Sequence, residues 1–257
     1  MGRDEHERAV RFRTARRDPA LTVVEGFHAL KHALRFDAEL VEAVAVDPAS
    51  LEAMAASLAP DLRGQLAGRV EQVDKETLAD LVPLVPHTGV AAIARRPQVD
   101  VAAALADPAP SPVVLLEDPR NMGNIGACIR VSAGAGAAAV IARGENDPWH
   151  PDAVRGAAGL QFALPVTRVA ALPPSDRPLL AIDPEGEKLA PGLVPPRAIL
   201  AFGTERHGLS GEVLERAEGR VAIPMREGVS SLNLATSVAI VLFFMKLTAD
   251  SPGRRGA

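Results

Sequence analysis

Cysteine is nearly missing from this chain: Cys128 is the single thiol in 257 residues. That excludes a disulfide framework and a zinc site built on paired cysteines, and His6, His28, His32, His87, His150 and His207 are scattered without ligand spacing. Aromatic residues are equally scarce, 3% with one Trp and no Tyr, so the core must be filled by Ala, Val, Leu and Ile in thin layers. A platform of exposed aromatics for single-stranded nucleic acid is not expected. The longest strictly apolar run, Val238 to Met245, has eight residues, far below the roughly 20 that cross a bilayer. The first residues, MGRDEHERAVRFRTARRD, mix both charges and contain no apolar signal core. These absences lead us to expect a soluble cytoplasmic protein without a structural metal.

No strong charge bias points to a partner, since 28 Lys and Arg stand against 32 Asp and Glu for a net charge of −4. Only the first 17 residues lean positive, with six Arg against three acids. Such an arm suits contact with phosphates, or equally a solvated, frayed terminus. What is abundant is apolar residues, 47% of the chain, enough for one large α/β domain or a medium domain with a smaller partner. The stretch DVAAALADPAPSP (100–112) ends in three prolines within five residues and reads as a stiff, poorly helical connector. We therefore expect two domains, residues 1–108 and 109–257.

In the first, VVEGFHALKHAL (23–34) has apolar positions at helical spacing and LVEAVAVD (40–47) reads as a strand. A helix over 48–58, a short strand near Val70, a helix over 75–82 and a strand GVAAIA (89–94) follow. In the second, VVLLE (113–117), AAVIA (138–142), LLAID (179–183), AILAFG (198–203) and RVAIP (220–224) are short runs without polar alternation, the pattern of a parallel sheet covered on both faces. Helices are expected from near Asn124, after Ser210 as an N-cap, and from about Ser231 to Thr248, with Leu234, Val238, Val241, Leu242 and Met245 on one stripe.

Three stretches carry polar residues at places where a parallel sheet builds sites. In LEDPRNMGNIGACIR a strand runs into a glycine-bearing loop and a helix with Arg130, an arrangement suited to a phosphate or carboxylate. Asn124 as a simple helix cap and Gly126 as a packing glycine fit it as well. Downstream, GAGAAA (134–139) matches the dinucleotide glycine pattern but precedes a strand instead of following one, so these glycines end a helix. AILAFGTERHGLS (198–210) opens a buried strand into a loop with Gly203, Gly208 and the carboxylate of Glu205, where backbone can approach a ligand closely or the Glu can simply be solvated. In RVAIPMREGVSSLNLATSVAIVLFFM (220–245), Ser230, Ser231 and Asn233 crowd the start of an apolar helix, more polar groups than one cap requires.

Taken in order, N-x-G-x-x-x-R at Asn124, Gly126 and Arg130, G-x-E-x-x-G-L at Gly203, Glu205, Gly208 and Leu209, and I-P-M with S-S-L-N at Ile223 to Met225 and Ser230 to Asn233 resemble the three motifs of the SpoU (TrmH) family of RNA 2′-O-ribose methyltransferases. VVEGFHALKHAL and HTGVAAIA are similar to segments of the small substrate-binding domain of its rRNA-modifying members. The resemblance implies a small N-terminal α/β, L30e-like domain and a C-terminal α/β-knot (SPOUT) domain with a deep trefoil. That topology runs against ordinary connection rules, and periodicity does not reveal it. It further implies a homodimer with S-adenosylmethionine sites beside the subunit interface. On this basis Gly203, Ile223 and Leu232 match positions whose backbone holds the adenosine, while Asn124, Arg130, Glu205, Ser231 and Asn233 match the polar positions around the methyl donor and target ribose. Two departures stand out: the extra Asn121 and Gly123 before the first motif, and Ala157 and Ala158 where a family segment often carries a Ser near an RNA contact.

Methyl transfer from a sulfonium is an in-line displacement, so positioning dominates. Arg130 is a poor base, because a guanidinium does not give up its proton in proteins. We assign it, reaching from the second subunit, to the phosphate beside the target and to the developing alkoxide, with that phosphate or Glu205 as proton acceptor. Asn233 then orients the hydroxyl or the cofactor carboxylate. The extra N-terminal domain favours ribosomal RNA, 23S in particular, over transfer RNA. Other readings are a non-catalytic RNA-binding or ribosome assembly protein that keeps the fold, against which the intact polar motif residues argue, and a nucleotide-dependent oxidoreductase resting on the misplaced glycines.

Overall fold

The computed structural model describes residues 3–66, 68–204 and 208–249. The chain divides into two compact units, one of residues 1–98 with 149–163, the other of residues 99–148 with 164–257. Among the described residues, the elements in chain order are α1 (Arg3–Ala15), β1 (Leu21–Glu25), α2 (Phe27–Arg35), β2 (Leu40–Ala45), α3 (Pro48–Leu58), β3 (Glu71–Gln72), α4 (Lys75–Leu81), β4 (Val90–Arg95), α5 (Val101–Ala106) and β5 (Val113–Glu117). They continue with α6 (Met122–Ala135), β6 (Ala139–Arg143), α7 (Pro151–Gly156), β7 (Val166–Val169), β8 (Leu179–Lys188), β9 (Ile199–Phe202), α8 (Gly211–Arg216), β10 (Gly219–Ala222) and α9 (Leu234–Ala249).

The first unit is a four-stranded sheet in the order β1-β4-β2-β3, with β4 antiparallel to both β1 and β2 and β3 parallel to β2. The stretch 23–34, which its spacing assigns to one helix, is in fact two elements. Val23 and Val24 lie in β1, and Phe27, Ala29, Leu30, Ala33 and Leu34 form the buried face of α2 beyond Gly26. Asp47 and Asp74 cap α3 and α4 by accepting from the amides of Ser50 at 3.0 Å and Thr77 at 2.6 Å.

The N-terminal arm is not frayed. It forms α1, which buries Ala9, Phe12 and Ala15 in the core of this unit against Val23, Val44 and Leu78. Three of its arginines are engaged within the protein: Arg8 meets Glu42 at 2.7 Å and Glu71 at 2.6 Å, Arg11 meets Glu42 at 2.8 Å, and Arg16 pairs with the buried Glu25. Residues 149–163 complete the unit. Arg155 reaches Glu25 at 3.0 Å, Thr22 donates its hydroxyl to the Trp149 carbonyl at 2.9 Å, and Trp149 meets Phe162 edge-on at 5.0 Å.

The second unit is a six-stranded sheet in the order β10-β8-β9-β5-β6-β7, parallel throughout. All five residues of β5 and all four of β9 are buried, as their unbroken apolar character predicts. The expected connector 100–112 is not wholly irregular: α5 forms within it, capped by Asp100 accepting from the Ala103 amide at 3.0 Å. Arg177, 2% exposed, holds this segment down by donating to the carbonyls of Leu105, Ser111, Asp107 and Arg197 at 2.7–3.2 Å. Gly136 ends α6 in the left-handed conformation ahead of β6, which gives the dinucleotide-like glycines a structural use. The last helix begins at Leu234, the first residue of its apolar stripe and three residues after the expected start at Ser231, and buries Leu234, Val238, Val241 and Leu242.

Candidate functional site

In a parallel sheet the carboxyl ends of the strands and the helix N-termini that follow them face one edge, and polar sites form there. In the second unit that edge carries the loops after β5, β9 and β10. A cavity of about 230 Å³ opens between β8 and the last two of these, lined by Asp183 and Pro184 within β8, Gly203, Thr204 and Gly208 after β9, and residues from Ile223 to Leu234 after β10. Pockets that enclose a drug-sized ligand hold roughly 300–1,000 Å³, so this one fits an adenosine-sized portion of a larger ligand. Of the residues singled out in the sequence, Gly203, Ile223, Ser231 and Leu232 are on its wall. Met225 of the I-P-M motif is there too, and so are Thr204 and Ser237, although nothing in the local sequence distinguishes these two.

The loop after β9 is tightly built at its base. Thr204 and Gly208 exchange backbone hydrogen bonds at 3.1 and 3.0 Å. A Cβ on Gly203 would run into the carbonyl of Gly208 and the amide of Leu209, so only glycine allows this approach. Leu209 is buried in the core of the unit, and Ser210 caps α8 by accepting from the Val213 amide at 3.3 Å. Glu205 lies outside the described residues.

Glu117, at the end of β5 and 8% exposed, accepts from the Ser210 amide at 2.8 Å and the Ser210 hydroxyl at 2.7 Å. Its carboxylate also faces Arg143 at 3.4 Å, and Arg143 pairs in turn with Glu212, whose carboxyl the Arg143 hydrogen bond holds below its ordinary range. This network ties the loop after β9 to the strand that leads into α6. Sequence reasoning missed it because Glu117 and Ser210 are far apart in the chain and meet only through the order of the strands.

The first and third motifs meet directly. Asn121, not Asn124, caps α6, accepting from the Asn124 amide at 2.9 Å. The Asn124 side chain instead accepts from the Asn233 amide nitrogen at 3.0 Å, while the Asn233 oxygen caps α9 by accepting from Ala235 at 2.9 Å and Thr236 at 3.3 Å. Asn233 thus starts the helix and also reaches the first motif. Arg130 is exposed on α6 and does not line the cavity, and its guanidinium has no carboxylate partner among the described residues. A guanidinium so presented suits an anion from outside this unit.

A second cavity, of about 340 Å³, lies beside Pro112, Gly136, Pro195 and the end of α9 and contains none of the motif residues. Among the described residues, no group of three or more His, Cys, Asp or Glu is placed to hold a metal ion, and no helix is long and apolar enough to cross a membrane.

Residues 111–243 match the model of the SpoU rRNA methylase family, and residues 23–99 match that of the RNA 2′-O ribose methyltransferase substrate-binding domain. An uncharacterised tRNA/rRNA methyltransferase of Synechocystis is 31% identical over 152 residues, covering 54% of this chain, and the chain spans only 56% of that relative's length. An uncharacterised tRNA/rRNA methyltransferase of Mycobacterium bovis is 32% identical over 202 residues, 73% of this chain and 69% of the relative. A 23S rRNA (adenosine(1067)-2′-O)-methyltransferase of Streptomyces azureus is 28% identical over 235 residues, 86% of this chain and 84% of the relative. Among solved structures, the SpoU methyltransferase AviRb from Streptomyces viridochromogenes, in complex with AdoMet, superposes with a TM-score of 0.76 at 22% identity, covering 97% of this chain and 98% of that one.

Proposed function

Because the chain belongs to the SpoU rRNA methylase family, we propose that it transfers a methyl group from S-adenosylmethionine to the 2′-hydroxyl of a ribose in RNA, and that the RNA is ribosomal. The observation that carries this reading is the cavity at the sheet edge, whose wall holds Gly203, Ile223, Ser231 and Leu232 from two of the family's motifs. Its residues fit the cofactor. Gly203 and Gly208 line it with backbone alone, as an adenine edge read by amides and carbonyls requires, and Phe202, Ile223, Met225 and Leu234 supply apolar surface for the ring. When bound, S-adenosylmethionine supplies a methyl on a sulfonium, an electrophile that needs no metal.

The chain's own residues do the rest. Backbone groups at Gly203, Ile223 and Leu232 fix the adenosine. The Asn124–Asn233 pair ties the first motif to the third, whose Ser231 is on the cavity wall. Arg130 takes the phosphate beside the target nucleotide and steadies the oxygen as it loses its proton to that phosphate or to Glu205. In the transfer the O–CH3 bond forms as the S–CH3 bond breaks, and the sulfur keeps the electron pair. The protein acts as a homodimer on this reading, with Arg130 serving the partner's site.

Ribosomal RNA is favoured over transfer RNA by the substrate-binding domain ahead of the catalytic part and by the likeness to the Streptomyces azureus enzyme over most of both chains. The test is to present labelled cofactor with unmodified ribosomal RNA and, separately, with unmodified transfer RNA. Label is expected in the ribosomal RNA. Label confined to transfer RNA overturns the choice of substrate, and cofactor binding without label in either RNA favours a binding protein that keeps the fold.

A further inference from the structure

The cavity wall contains one charged side chain among the described residues, Asp183. It stands where β8 departs from its neighbours. β8 pairs with β9 as far as Ile182 opposite Phe202, so Asp183 is level with Gly203 at the mouth of the cavity. On the other side, consecutive residues of β10 pair with residues of β8 that are six apart, Arg220 with Ala181 and Val221 with Glu187. Residues 182–186 are therefore looped out of that ladder. Residues freed from a ladder can turn a side chain toward a neighbouring cavity, as the smaller irregularity of a bulge does beside active sites. The carboxylate is set in direction: its Oδ1 accepts from the Glu185 amide at 2.8 Å, and Oδ2 has no partner among the described residues. Around it the lining among the described residues is neutral, made of apolar side chains and the hydroxyls of Thr204, Ser230, Ser231 and Ser237.

A carboxylate on the wall of a partly enclosed cavity attracts a ligand more strongly than one of the same shape with one positive charge fewer. The two ligands that the proposed reaction brings to this cavity differ in that respect. S-adenosylmethionine carries a sulfonium besides its ammonium and carboxylate and is a net cation, whereas S-adenosylhomocysteine, left after transfer, keeps the ammonium and carboxylate but has a thioether in place of the sulfonium, so its net charge is zero at nearly identical outline. The geometry points to Asp183 as the residue that discriminates the cofactor from its product by charge, so that loss of the methyl group loosens the product. This inference rests on the function proposed above. It assigns Asp183 to specificity, not to the chemical step.

The test measures binding by titration calorimetry on the full chain, with S-adenosylmethionine, S-adenosylhomocysteine and sinefungin, an analogue with an amine-bearing carbon in place of the sulfonium. Asp183→Asn, nearly isosteric, is expected to weaken S-adenosylmethionine and sinefungin roughly tenfold, the size of one screened unit charge at several ångströms, and to leave S-adenosylhomocysteine within about twofold. Parallel weakening of all three ligands makes Asp183 a general contact and overturns the inference, as does no change in any. Asp183→Glu keeps the charge and must keep the preference for the cationic ligands. If Asp183→Asn does not fold, Asp183→Ser is read by the same criterion. Wild-type protein that binds none of the three refutes the proposed function itself, a result distinct from the failure of Asp183 alone.

Discussion

Arg130 and the cavity are separate features of the same unit, and the separation is testable. Arg130→Lys keeps a positive charge but loses the planar fork that grips a phosphate through two hydrogen bonds. Methyl transfer is expected to fall by about a hundredfold, the size of one lost stabilising donor, with cofactor affinity unchanged because Arg130 is not on the cavity wall. Undiminished transfer contradicts its role. Gly203→Ala should do the reverse. Its Cβ meets the backbone of Gly208 and Leu209, so the loop must move at a cost of about 1–3 kcal/mol. Calorimetry should then show cofactor binding lost in a protein that still melts cooperatively. Asn121 shows how far sequence spacing carries for single residues: the spacing puts both asparagines at the helix start, but which of them caps it depends on where the helix begins.

Among helices and strands, the buried runs of β5, β6 and β9 were legible because a strand covered on both faces has no polar positions to confuse the pattern. α1 was not, because three buried residues, Ala9, Phe12 and Ala15, are outnumbered by charges that read as solvated. Its docking has a pH signature. Burial opposes ionisation of Glu42, but hydrogen bonds from Arg11 and Arg8 outweigh it and hold the carboxyl below its ordinary value. A carboxylate with a lowered folded pKa adds stability that is present above the unfolded value of about 4.3 and is lost as pH falls through the folded value. Thermal melts should therefore show wild type above Glu42→Gln at pH 7, with the gap closing in acid; a gap independent of pH contradicts this account. Arg177 gives the segment around α5 its place. Arg177→Met leaves several buried carbonyls without a donor, about 3 kcal/mol or more, and the melting temperature should drop by roughly 6–12 °C at about 2–4 °C per kcal/mol.

Taken as one chain, the protein interleaves its two units. Residues 149–163 belong to the first unit although the chain on both sides of them belongs to the second. Composition alone placed one division at the prolines, because a segment that returns to an earlier unit leaves no mark on local sequence. A fragment of residues 99–257 would therefore carry Trp149, Ala153, Val154 and Phe162 without the unit that buries them. Such a fragment should bind the dye ANS where the full chain does not. The loops that carry chemistry were legible as motifs, yet Glu117 and Asp183 were not, since each gains its place from the register of strands distant in sequence. The measurement that decides most is where the methyl group goes. RNA labelled from S-adenosylmethionine is hydrolysed in alkali, which cannot cleave beside a 2′-O-methyl ribose. Label retained in alkali-resistant dinucleotides is the result this reading predicts, and label released in mononucleotides would place the methyl on a base and contradict it.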